Sequence, residues 1–353
     1  MSGTLPPVEQ VPERMAAAVV KGPGRLEVED VPVPPLGDDD VLVAVELCGV
    51  CGSDLHMVLD GWGQRGSWPG HEWVGTVAAV GPSVTSWRRG DAVVGGPAQR
   101  CGTCDMCLAG RPSLCADRDT PGIGPEQGGF ATYKRALPGE LLPLPEGLSR
   151  RAAALAEPLA VALHGIHQSG IRPGQRALVL GAGPIGALSI AALRAMGVDD
   201  VSCAEPGERR QELAAAVGAT TVLHPADLVV PSIAEPGRVV DGAVDVVLEC
   251  SGKAAAMEAG LAQLVRGGTL VLVGAGIEPP RFDPNRILLN ELVITGAFTY
   301  DHDGFERALD LLASGALPVD ALLEPDTVPL DGLLEAMRGL ADGRLAGKVL
   351  VQP

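Results

Sequence analysis

The stretch that most constrains the fold runs from about residue 175 to residue 296, where apolar strand-like segments alternate with helical ones. The segments occur in the order RALVL, IGALSIAALRAM, DVSCAE, ERRQELAAAVGA, TVLH, VDVVLECSG, KAAAMEAGLAQLVRGG, TLVLVG and ELVITG. Continuous apolar strands that alternate with amphipathic helices indicate a parallel sheet covered by helices on both faces. The pattern therefore predicts an α/β fold with a doubly wound Rossmann domain over residues 159–296.

A glycine-rich motif, GAGPIG, joins the first of these strands to its helix. Gly181 would allow a tight turn, Gly183 would let the backbone approach a pyrophosphate, and Gly186 would permit close helix–strand packing. The helix N-terminus would direct unpaired N–H groups at the phosphates. Glu205 ends the second strand, where a carboxylate accepts hydrogen bonds from an adenosine ribose and repels a 2′-phosphate. These features predict a dinucleotide site that prefers NAD to NADP, although the Arg209–Arg210 pair opposes that preference because arginine can bind phosphate.

The first part of the chain and its last residues follow a different pattern. Short β-rich runs are separated by Gly, Pro and Asp, namely MAAAVV, VLVAVEL, WVGTVAAVG and DAVVGG. These runs favour a mostly β domain with irregular loops. The tail contains a helix around FERALDLLASG and ends in the strand-like KVLVQP. Because this tail is too small to fold alone, we expect it to return to the first domain, which would then comprise residues 1–158 and 297–353.

Composition and charge narrow the functional classes. The chain of 353 residues is long enough for two domains, and its formal net charge of −17 disfavours nucleic acid as a partner. The proline-rich start, MSGTLPPVEQVPERM, lacks the basic and apolar regions of a signal peptide and is predicted to be a flexible leader. Glycines and a proline interrupt the longest apolar stretch, which argues against a membrane span. We therefore expect a cytoplasmic protein with reduced thiols and no membrane partner.

Four of the eight cysteines lie within RCGTCDMCLAGRPSLC, where a disulfide knot, a redox motif or a metal site could explain them. Reduced cytosolic thiols disfavour the disulfide knot, and a thioredoxin-like motif uses a single CxxC at a helix start. Gly102 and Gly110 permit the turns that direct several thiolates to one point. Four thiolates around a tetrahedral Zn²⁺ form a structural site, so we predict one in a lobe at residues 97–116. Its predicted ligands are Cys101, Cys104, Cys107 and Cys115.

A second group of metal-ligand residue types is scattered along the chain. Cys51 lies in GVCGSDLH, His71 and Glu72 lie in PGHEWVG, and Glu157 lies in AEPLAVALHG. A catalytic zinc needs three protein ligands of mixed type and an open position for substrate or water. Taken singly, Cys51 could be a small buried hydrophobe and His71 a satisfied core histidine. The residues alone leave both interpretations open.

The order of these motifs resembles that of the zinc-dependent medium-chain alcohol dehydrogenases. GVCGSDLH, PGHEWVG, CGTCDMC, AEPLAVALHG and GAGPIG follow one another across most of the chain. Within this family, the glutamate in AEPLAVALHG makes the chain most similar to the polyol and threonine dehydrogenase branch, in which this region carries a glutamate. The resemblance implies a GroES-like, mostly β catalytic domain, a Rossmann domain inserted near its carboxyl end, and an active site in the cleft between them. It also implies Zn²⁺ and NAD as cofactors, a small-molecule alcohol or ketone as substrate, and a homodimer or homotetramer.

The resemblance assigns catalytic roles to the scattered residues. Cys51 and His71 match zinc ligands, while Glu72 and Glu157 share the remaining role, either as a ligand or as a catalytic carboxylate that holds the zinc-bound water. Consecutive residues of an extended chain point to opposite sides. His71 and Glu72 can therefore both bind the metal only if the backbone turns at the preceding Pro-Gly.

Ser53 and His56 match the proton-relay positions of the family. In the implied mechanism, Zn²⁺ lowers the pKa of the alcohol, hydride passes to the nicotinamide, and Ser53 passes the proton through the cofactor ribose towards His56. Alternatively, Ser53 only caps a helix and His56 is a solvated loop residue. The further cofactor contacts that the resemblance implies are Ile185, Arg210, Val273, Gly274 and Ala275.

We expect the substrate to be a secondary alcohol with an apolar body, which would give a ketone. Polyol-oxidising relatives carry a hydroxyl-binding arginine after the last Rossmann strand, and here Thr299 takes its place between Phe298 and Tyr300. Met57 and Trp62 would add apolar surface on the other wall of the pocket. A polyol or threonine-type dehydrogenase is the alternative. A zinc-free reductase or a non-catalytic relative is disfavoured, because the ligand and relay residues are all present.

Overall fold

A computed structural model describes residues 11–96, 100–117, 127–301 and 303–353. Most of the predicted leader and residues 97–99 of the predicted cysteine lobe lie outside these ranges. The chain forms two compact units.

The first unit comprises the residues up to Glu157 together with Glu324–Pro353, and the second comprises Pro158–Leu323. The first boundary lies within one residue of the expected one. The second boundary lies later in the chain than the expected position at residue 296. The segment 297–323 therefore belongs to the second unit and not, as expected, to the first.

The helices and strands are as follows. In chain order the strands are β1 (Arg14–Gly22), β2 (Arg25–Pro32), β3 (Val41–Gly49), β4 (Glu72–Val80), β5 (Ala92–Gly95), β6 (Tyr133–Ala136), β7 (Leu141–Pro143), β8 (Arg176–Leu180), β9 (Asp200–Ala204), β10 (Thr221–Leu223), β11 (Val244–Glu249), β12 (Leu264–Leu272), β13 (Val293–Gly296), β14 (Leu323–Pro329) and β15 (Lys348–Gln352). The α-helices are α1 (Gly52–Val58), α2 (Asp105–Leu108), α3 (Arg150–Ala153), α4 (Ala156–Ser169), α5 (Pro184–Ala195), α6 (Glu208–Ala216), α7 (Ala254–Ala262), α8 (Pro284–Asn290), α9 (Gly304–Ala313), α10 (Val319–Leu322) and α11 (Leu333–Ala341).

The first unit is built on β-strands, as its sequence pattern predicts. Among the described residues, β1 pairs with β2, and a seven-stranded sheet runs in the order β14-β15-β3-β4-β5-β7, with β6 also paired to β3. Side chains of β3 alternate between two apolar clusters, because successive strand residues point to opposite faces. Val43 and Val45 belong to one cluster, and Leu42 and Ala44 to the other. Burial on both faces makes β3 the centre of this unit.

The chain terminus closes this sheet. The predicted strand KVLVQP forms β15, which pairs antiparallel with β3 so that Leu350 lies opposite Gly49. The preceding helix, α11, buries Leu333 and Met337 in the same apolar cluster as β3. The last strand therefore lies beside the end of β3, which leads directly to Cys51.

The second unit contains a parallel sheet. Within its described residues, six strands lie in the order β10-β9-β8-β11-β12-β13, and every adjacent pair is parallel. The strand order reverses between β8 and β11, as in a doubly wound sheet. This confirms the predicted α/β fold and brings the carboxyl ends of β8, β9, β11 and β12 to one edge.

The segment 297–323 belongs to the second unit, whereas the sequence pattern suggested that it joins the first. The helix around FERALDLLASG is α9, and its apolar side, which includes Phe305, Leu309 and Leu312, is buried. The short helix α10 contacts α5 and α6. An amphipathic helix packs against whichever apolar surface its neighbours supply, and sequence pattern does not specify which one. In the part of the chain that the structure describes, no helix is both long and apolar enough to span a membrane.

Candidate active site

Strand pairing brings two separate motifs together at one end of the first unit's sheet. β3 and β4 are antiparallel, and Gly49, the last residue of β3, lies opposite Glu72, the first residue of β4. Cys51 follows β3 closely and His71 immediately precedes β4, so both fall at the same edge. Ligand atoms of Cys51, His71 and Glu72 all lie within 4.8 Å of one another.

The backbone turn that this arrangement requires is located at Gly70. Its φ is +107°, a left-handed conformation that favours glycine. A Cβ at this position would come within 2.8 Å of the Phe130 backbone nitrogen. The turn allows both His71 and Glu72 to contribute to the group, although they are consecutive residues.

Asp54 lies behind two of the three donors and is fully buried. One carboxylate oxygen accepts a hydrogen bond from the Cys51 backbone N–H at 2.9 Å, and the other lies 3.7 Å from Nδ1 of His71. Burial disfavours a charged His71, but Asp54 and then Cys51 outweigh it and hold the pKa of His71 well above its ordinary value. Sequence reasoning missed Asp54, although its place in the first turn of α1 fits a capping-box position.

Lys348 was also missed, and it forms a buried ion pair with Glu72. Its Nζ lies 2.6 Å from Glu72 Oε1 and 2.9 Å from the Val50 carbonyl oxygen, to which it donates. Burial opposes the charge of Lys348, yet Glu72 outweighs that effect and raises the pKa of the lysine. The other oxygen, Glu72 Oε2, is packed so closely that a Cβ on Gly49 would come within 2.1 Å of it.

Glu157 lies at the start of α4 and is 5% exposed. Burial raises the pKa of its carboxyl to about 7, an effect that the nearby charge of His71 partly offsets. The charge of His71 therefore affects Glu157, but Glu157 is not one of the three donors whose ligand atoms lie within 4.8 Å of one another.

The chemistry of the donors fits a catalytic zinc ion. A thiol, an imidazole and a carboxylate are a mixed set of the kind that binds Zn²⁺ and leaves a fourth position open. Glu72 Oε2 is buried and has no hydrogen-bond partner among the described residues, which is costly for a polar atom unless a further ligand satisfies it. Asp54 would orient His71 from behind, as carboxylates do at metal-bound histidines.

The two predicted relay residues lie on α1, which begins directly after Cys51. Ser53 and His56 are three positions apart, so they share one face of the helix. Both are partly buried. Nδ1 of His56 lies 2.6 Å from Oδ2 of Asp60, and its side chain is 27% exposed. The His56 side chain is therefore partly open to solvent.

The four clustered cysteines form a second group, and their ligand atoms also lie within 4.8 Å of one another. The Cys101 sulfur is 3.9 Å from that of Cys107 and 3.5 Å from that of Cys115. A tetrahedral ion with Zn–S bonds of about 2.3 Å holds its sulfurs roughly 3.8 Å apart. The cluster therefore has the dimensions of a zinc cage.

Backbone N–H groups also favour the thiolate form of two cysteines in this cluster. N–H groups of Ala116 and then Cys107 lower the pKa of the Cys104 thiol to about 6, and the N–H of Cys101 lowers the pKa of Cys115. Burial instead raises the pKa of Cys107 to about 12. Four adjacent thiolates repel one another, so full ionisation requires a cation among them.

In the second unit, the three glycines of GAGPIG have three different environments. Gly181 adopts φ +89° in the turn after β8. A Cβ on Gly186 would come within 1.9 Å of the Gly181 carbonyl oxygen, whereas one on Gly183 would meet no atom of the described residues within 4 Å. A tight turn, an open approach and a close packing contact are the three requirements of a dinucleotide-binding loop. The N-terminus of α5, including Ile185, follows this loop directly.

Glu205 lies at the end of β9 and is 4% exposed. Its two oxygens accept hydrogen bonds from the N–H groups of Ala182 at 2.8 Å and Gly207 at 2.9 Å. Glu205 thus ties the glycine-rich loop to the next strand, a contact that the sequence did not predict. Arg210 lies in the first turns of α6, which starts immediately after this region.

The predicted contacts after β12 lie at the same edge of the sheet. The N–H groups of Val273 and Gly274 donate to the Glu249 carbonyl oxygen at 2.9 and 2.8 Å, and Ala275 follows them. A Cβ on Gly274 would come within 2.3 Å of the Gly252 nitrogen. The second unit therefore collects all the predicted cofactor residues from the ends of β8, β9 and β12 and the helices that follow them.

Comparison with known proteins agrees with both units. Residues 37–146 match the family model of the alcohol dehydrogenase GroES-like domain, and residues 184–314 match that of zinc-binding dehydrogenases. Sorbitol dehydrogenase of Bacillus subtilis (strain 168) is 33% identical, over 97% of this chain and 98% of its own.

Two solved structures are similar over nearly the whole chain. A protein from Sinorhizobium meliloti 1021, described as a zinc-binding dehydrogenase bound to NADP, has a TM-score of 0.85 at 33% identity, covering 97% of this chain and 100% of its own. Acetophenone reductase from Geotrichum candidum NBRC 4597, in complex with NAD, has a TM-score of 0.83 at 26% identity, covering 98% of each chain. The two matching domains, the mixed donor group and the near full-length similarity show that the protein belongs to the zinc-dependent medium-chain dehydrogenase family.

Proposed function

We propose that the protein oxidises a secondary alcohol to a ketone with NAD, at the site formed by Cys51, His71 and Glu72. The observation that carries this proposal is the convergence of three chemically different donors within 4.8 Å, beside a helix that bears Ser53 and His56. A closed structural site needs no proton carriers next to it. A site that removes a proton from an alcohol does need them.

Cys51, His71 and Glu72 would hold the catalytic zinc, and Glu157 would either ligate the ion directly or hold the water bound to it. Bound there, Zn²⁺ would act as a Lewis acid that lowers the pKa of an alcohol hydroxyl. Asp54 would keep the His71 ring in place. The four-cysteine cluster would hold a structural zinc, because four thiolates fill the tetrahedral coordination of the ion and leave no position for a substrate.

Ser53 and His56 would carry the alcohol proton away. Ser53 Oγ can accept a hydrogen bond and donate another, and His56 is partly exposed. The hydride from the carbinol carbon would be accepted by the nicotinamide of NAD. Removing the proton towards solvent at His56 would complete the oxidation without leaving a buried charge.

We propose a preference for NAD over NADP. Glu205 is buried beside the glycine-rich loop, and a 2′-phosphate placed there would meet a carboxylate of like charge. The neighbouring Arg209–Arg210 pair and the NADP in the Sinorhizobium meliloti structure favour the opposite outcome, while the Geotrichum candidum reductase is in complex with NAD. The ratio of kcat/KM for the two cofactors tests this. Equal values would show that the arginines dominate.

An apolar substrate body is supported by exposed aromatic surface at two of the positions that the family resemblance associates with the substrate, one in each unit. Trp62 is 54% exposed and Phe298 is 43% exposed, whereas Met57 is buried. The similar acetophenone reductase is named for an aromatic ketone.

A polyol is the second candidate substrate, because the similar Bacillus subtilis protein is a sorbitol dehydrogenase. The two candidates separate in one assay. The purified protein, supplied with NAD⁺, is given sorbitol, xylitol, cyclohexanol or a monoterpene alcohol, and NADH formation is recorded. We expect the highest kcat/KM with a cyclic alcohol. A polyol as the best substrate would favour the second candidate, and no turnover with any alcohol would contradict the proposed function.

We also propose a cytoplasmic homo-oligomer. Metal-binding thiols must stay reduced, as they do in the cytosol. In the described sheet of the second unit, β13 is an edge strand, and Val293, Leu288 and Leu289 nearby are 49%, 72% and 58% exposed. Such an edge can pair with a second copy. Light scattering should report at least a dimer, and Val293→Lys should weaken it. A monomeric wild-type protein would contradict the proposal.

A further inference from the structure

Two side chains beyond the end of α1 hold the imidazole of His56. Nδ1 lies 2.6 Å from Oδ2 of Asp60. The ring stacks on the indole of Trp62, with centroids 4.7 Å apart and planes inclined by 19°. Neither Asp60 nor Trp62 belongs to the donor group described above, and both lie within six residues of His56.

A glycine-dependent turn produces this arrangement. The chain leaves α1 and turns at Gly61, whose φ is +78°. A Cβ there would come within 2.6 Å of Pro23, so the turn is closely packed. The Trp62 N–H then donates to the His56 carbonyl oxygen at 3.2 Å. The backbone thus returns over the helix end, which places Asp60 at the ring edge and Trp62 on the ring face.

The contact with Asp60 determines which nitrogen can accept a proton. A carboxylate only accepts hydrogen bonds, so the nitrogen that faces it must carry a hydrogen. Nδ1 therefore holds N–H, and in the neutral ring Nε2 has the free lone pair. The 2.6 Å separation is slightly shorter than the range of about 2.7–2.9 Å for charge-assisted N–H···O bonds, so the two groups are in hydrogen-bond contact. Stacking on Trp62 fixes the plane of the ring and shields one face from water.

We propose that Asp60 and Trp62 are positioning residues for proton removal by His56, an inference that rests on the proposed function above. The alcohol proton arrives at Nε2 while Nδ1–H stays in place, which gives an imidazolium beside the Asp60 carboxylate. A solvent water then takes the proton from Nε2, and the ring returns to its starting tautomer. The ring can release the proton because its side chain is 27% exposed.

The tautomer itself can be measured without reference to activity. The protein is labelled with ¹⁵N-histidine, and two-bond ¹⁵N–¹H correlations are recorded for its six histidines, with His56→Asn identifying the His56 signals. We expect the Nδ1–H form in the wild type and in Asp60→Asn, which keeps an acceptor oxygen, and its loss in Asp60→Ala. An Nε2–H form in the wild type, or an unchanged spectrum in Asp60→Ala, would overturn the role of Asp60.

Kinetics then test the consequence. A positioned acid–base group contributes about 10² to 10⁴ in rate, so we expect kcat to fall roughly tenfold or more in Asp60→Ala and Trp62→Leu, with little change in the KM for NAD. Added imidazole should restore part of the loss. Asp39→Ala, at another exposed aspartate, is the matched control and should keep wild-type kcat.

The two levels of the proposal fail in different ways. If His56→Asn turns over like the wild type, the proton role of His56 is wrong, whatever the spectra show. If His56→Asn is impaired but Asp60→Ala and Trp62→Leu retain wild-type kcat, His56 keeps its role and the positioning inference is wrong.

Discussion

Lys348 Nζ and Glu72 Oε1 lie 2.6 Å apart, and both side chains are almost completely buried. The same ammonium donates to the carbonyl of Val50. One cation therefore connects the segment that precedes Cys51 to the segment that follows His71. It also offsets the buried charge of Glu72. The last strand of the chain thus supports the donor group without contributing a donor.

Replacing this lysine should be severe. Lys348→Met removes the ammonium that pairs with Glu72 Oε1, and breaking a buried pair in this way costs on the order of 3–5 kcal/mol. Urea unfolding measures the change. Lys21→Met is the matched control, because Lys21 pairs with Glu29 in a more exposed setting and should cost about 0–1 kcal/mol. Equal destabilisation by the two variants would contradict the role of Lys348.

Cys104→Ser should remove the structural zinc and lower stability, because metal binding at such sites contributes directly to folding free energy. Elemental analysis should report one zinc fewer per chain, and the unfolding midpoint should fall. Cys203→Ala is the control, since Cys203 is fully buried in β9 and its loss weakens packing without changing zinc content. Full zinc retention in Cys104→Ser would show that the cluster does not hold the metal.

The open approach at Gly183 and the close packing contact at Gly186 can be tested separately by substitution. Gly186→Ala places a Cβ within 1.9 Å of a carbonyl oxygen, so the second unit should be destabilised. The methyl group of Gly183→Ala meets no atom within 4 Å in the part of the chain that the structure describes. The fold should therefore survive while the methyl group obstructs the pyrophosphate. Thermal unfolding and NADH fluorescence titration distinguish the two effects. Unchanged NADH affinity in Gly183→Ala would contradict the assignment of the loop.

The sequence predicted those parts of the molecule that are formed by residues close to one another in the chain. The three environments of Gly181, Gly183 and Gly186 follow from one strand–turn–helix unit, and the cysteine cluster arises within a single short loop. The Rossmann domain was predictable for the same reason, since its strands and helices alternate in sequence. Resemblance to a family was needed to connect Cys51 with His71, because no local pattern does so.

The supporting contacts could not be predicted, because they depend on pairings between distant segments. Lys348 reaches Glu72 only because β15 lies beside β3, and its sequence context, KVLVQP, reads as an ordinary apolar strand. The position of α9 likewise depends on which apolar surface is available to it. Glu205 was expected to face a ribose, but its hydrogen bonds to Ala182 and Gly207 follow from how β9 meets the glycine loop. The sequence does contain an indication of the role of Asp60, because this residue lies four positions after His56 and directly before a glycine.

The most direct test of the central claim is the zinc content of Cys51→Ser, measured on folded protein together with NADH formation from the best alcohol. The wild type should contain two zinc ions per chain, one for each donor group. Cys51→Ser should retain one zinc ion, an unchanged circular dichroism spectrum and no measurable turnover, because the structural cluster is intact while the mixed donor group has lost its thiolate. Two zinc ions and wild-type turnover in Cys51→Ser would contradict the assignment of Cys51, His71 and Glu72 as the catalytic metal site.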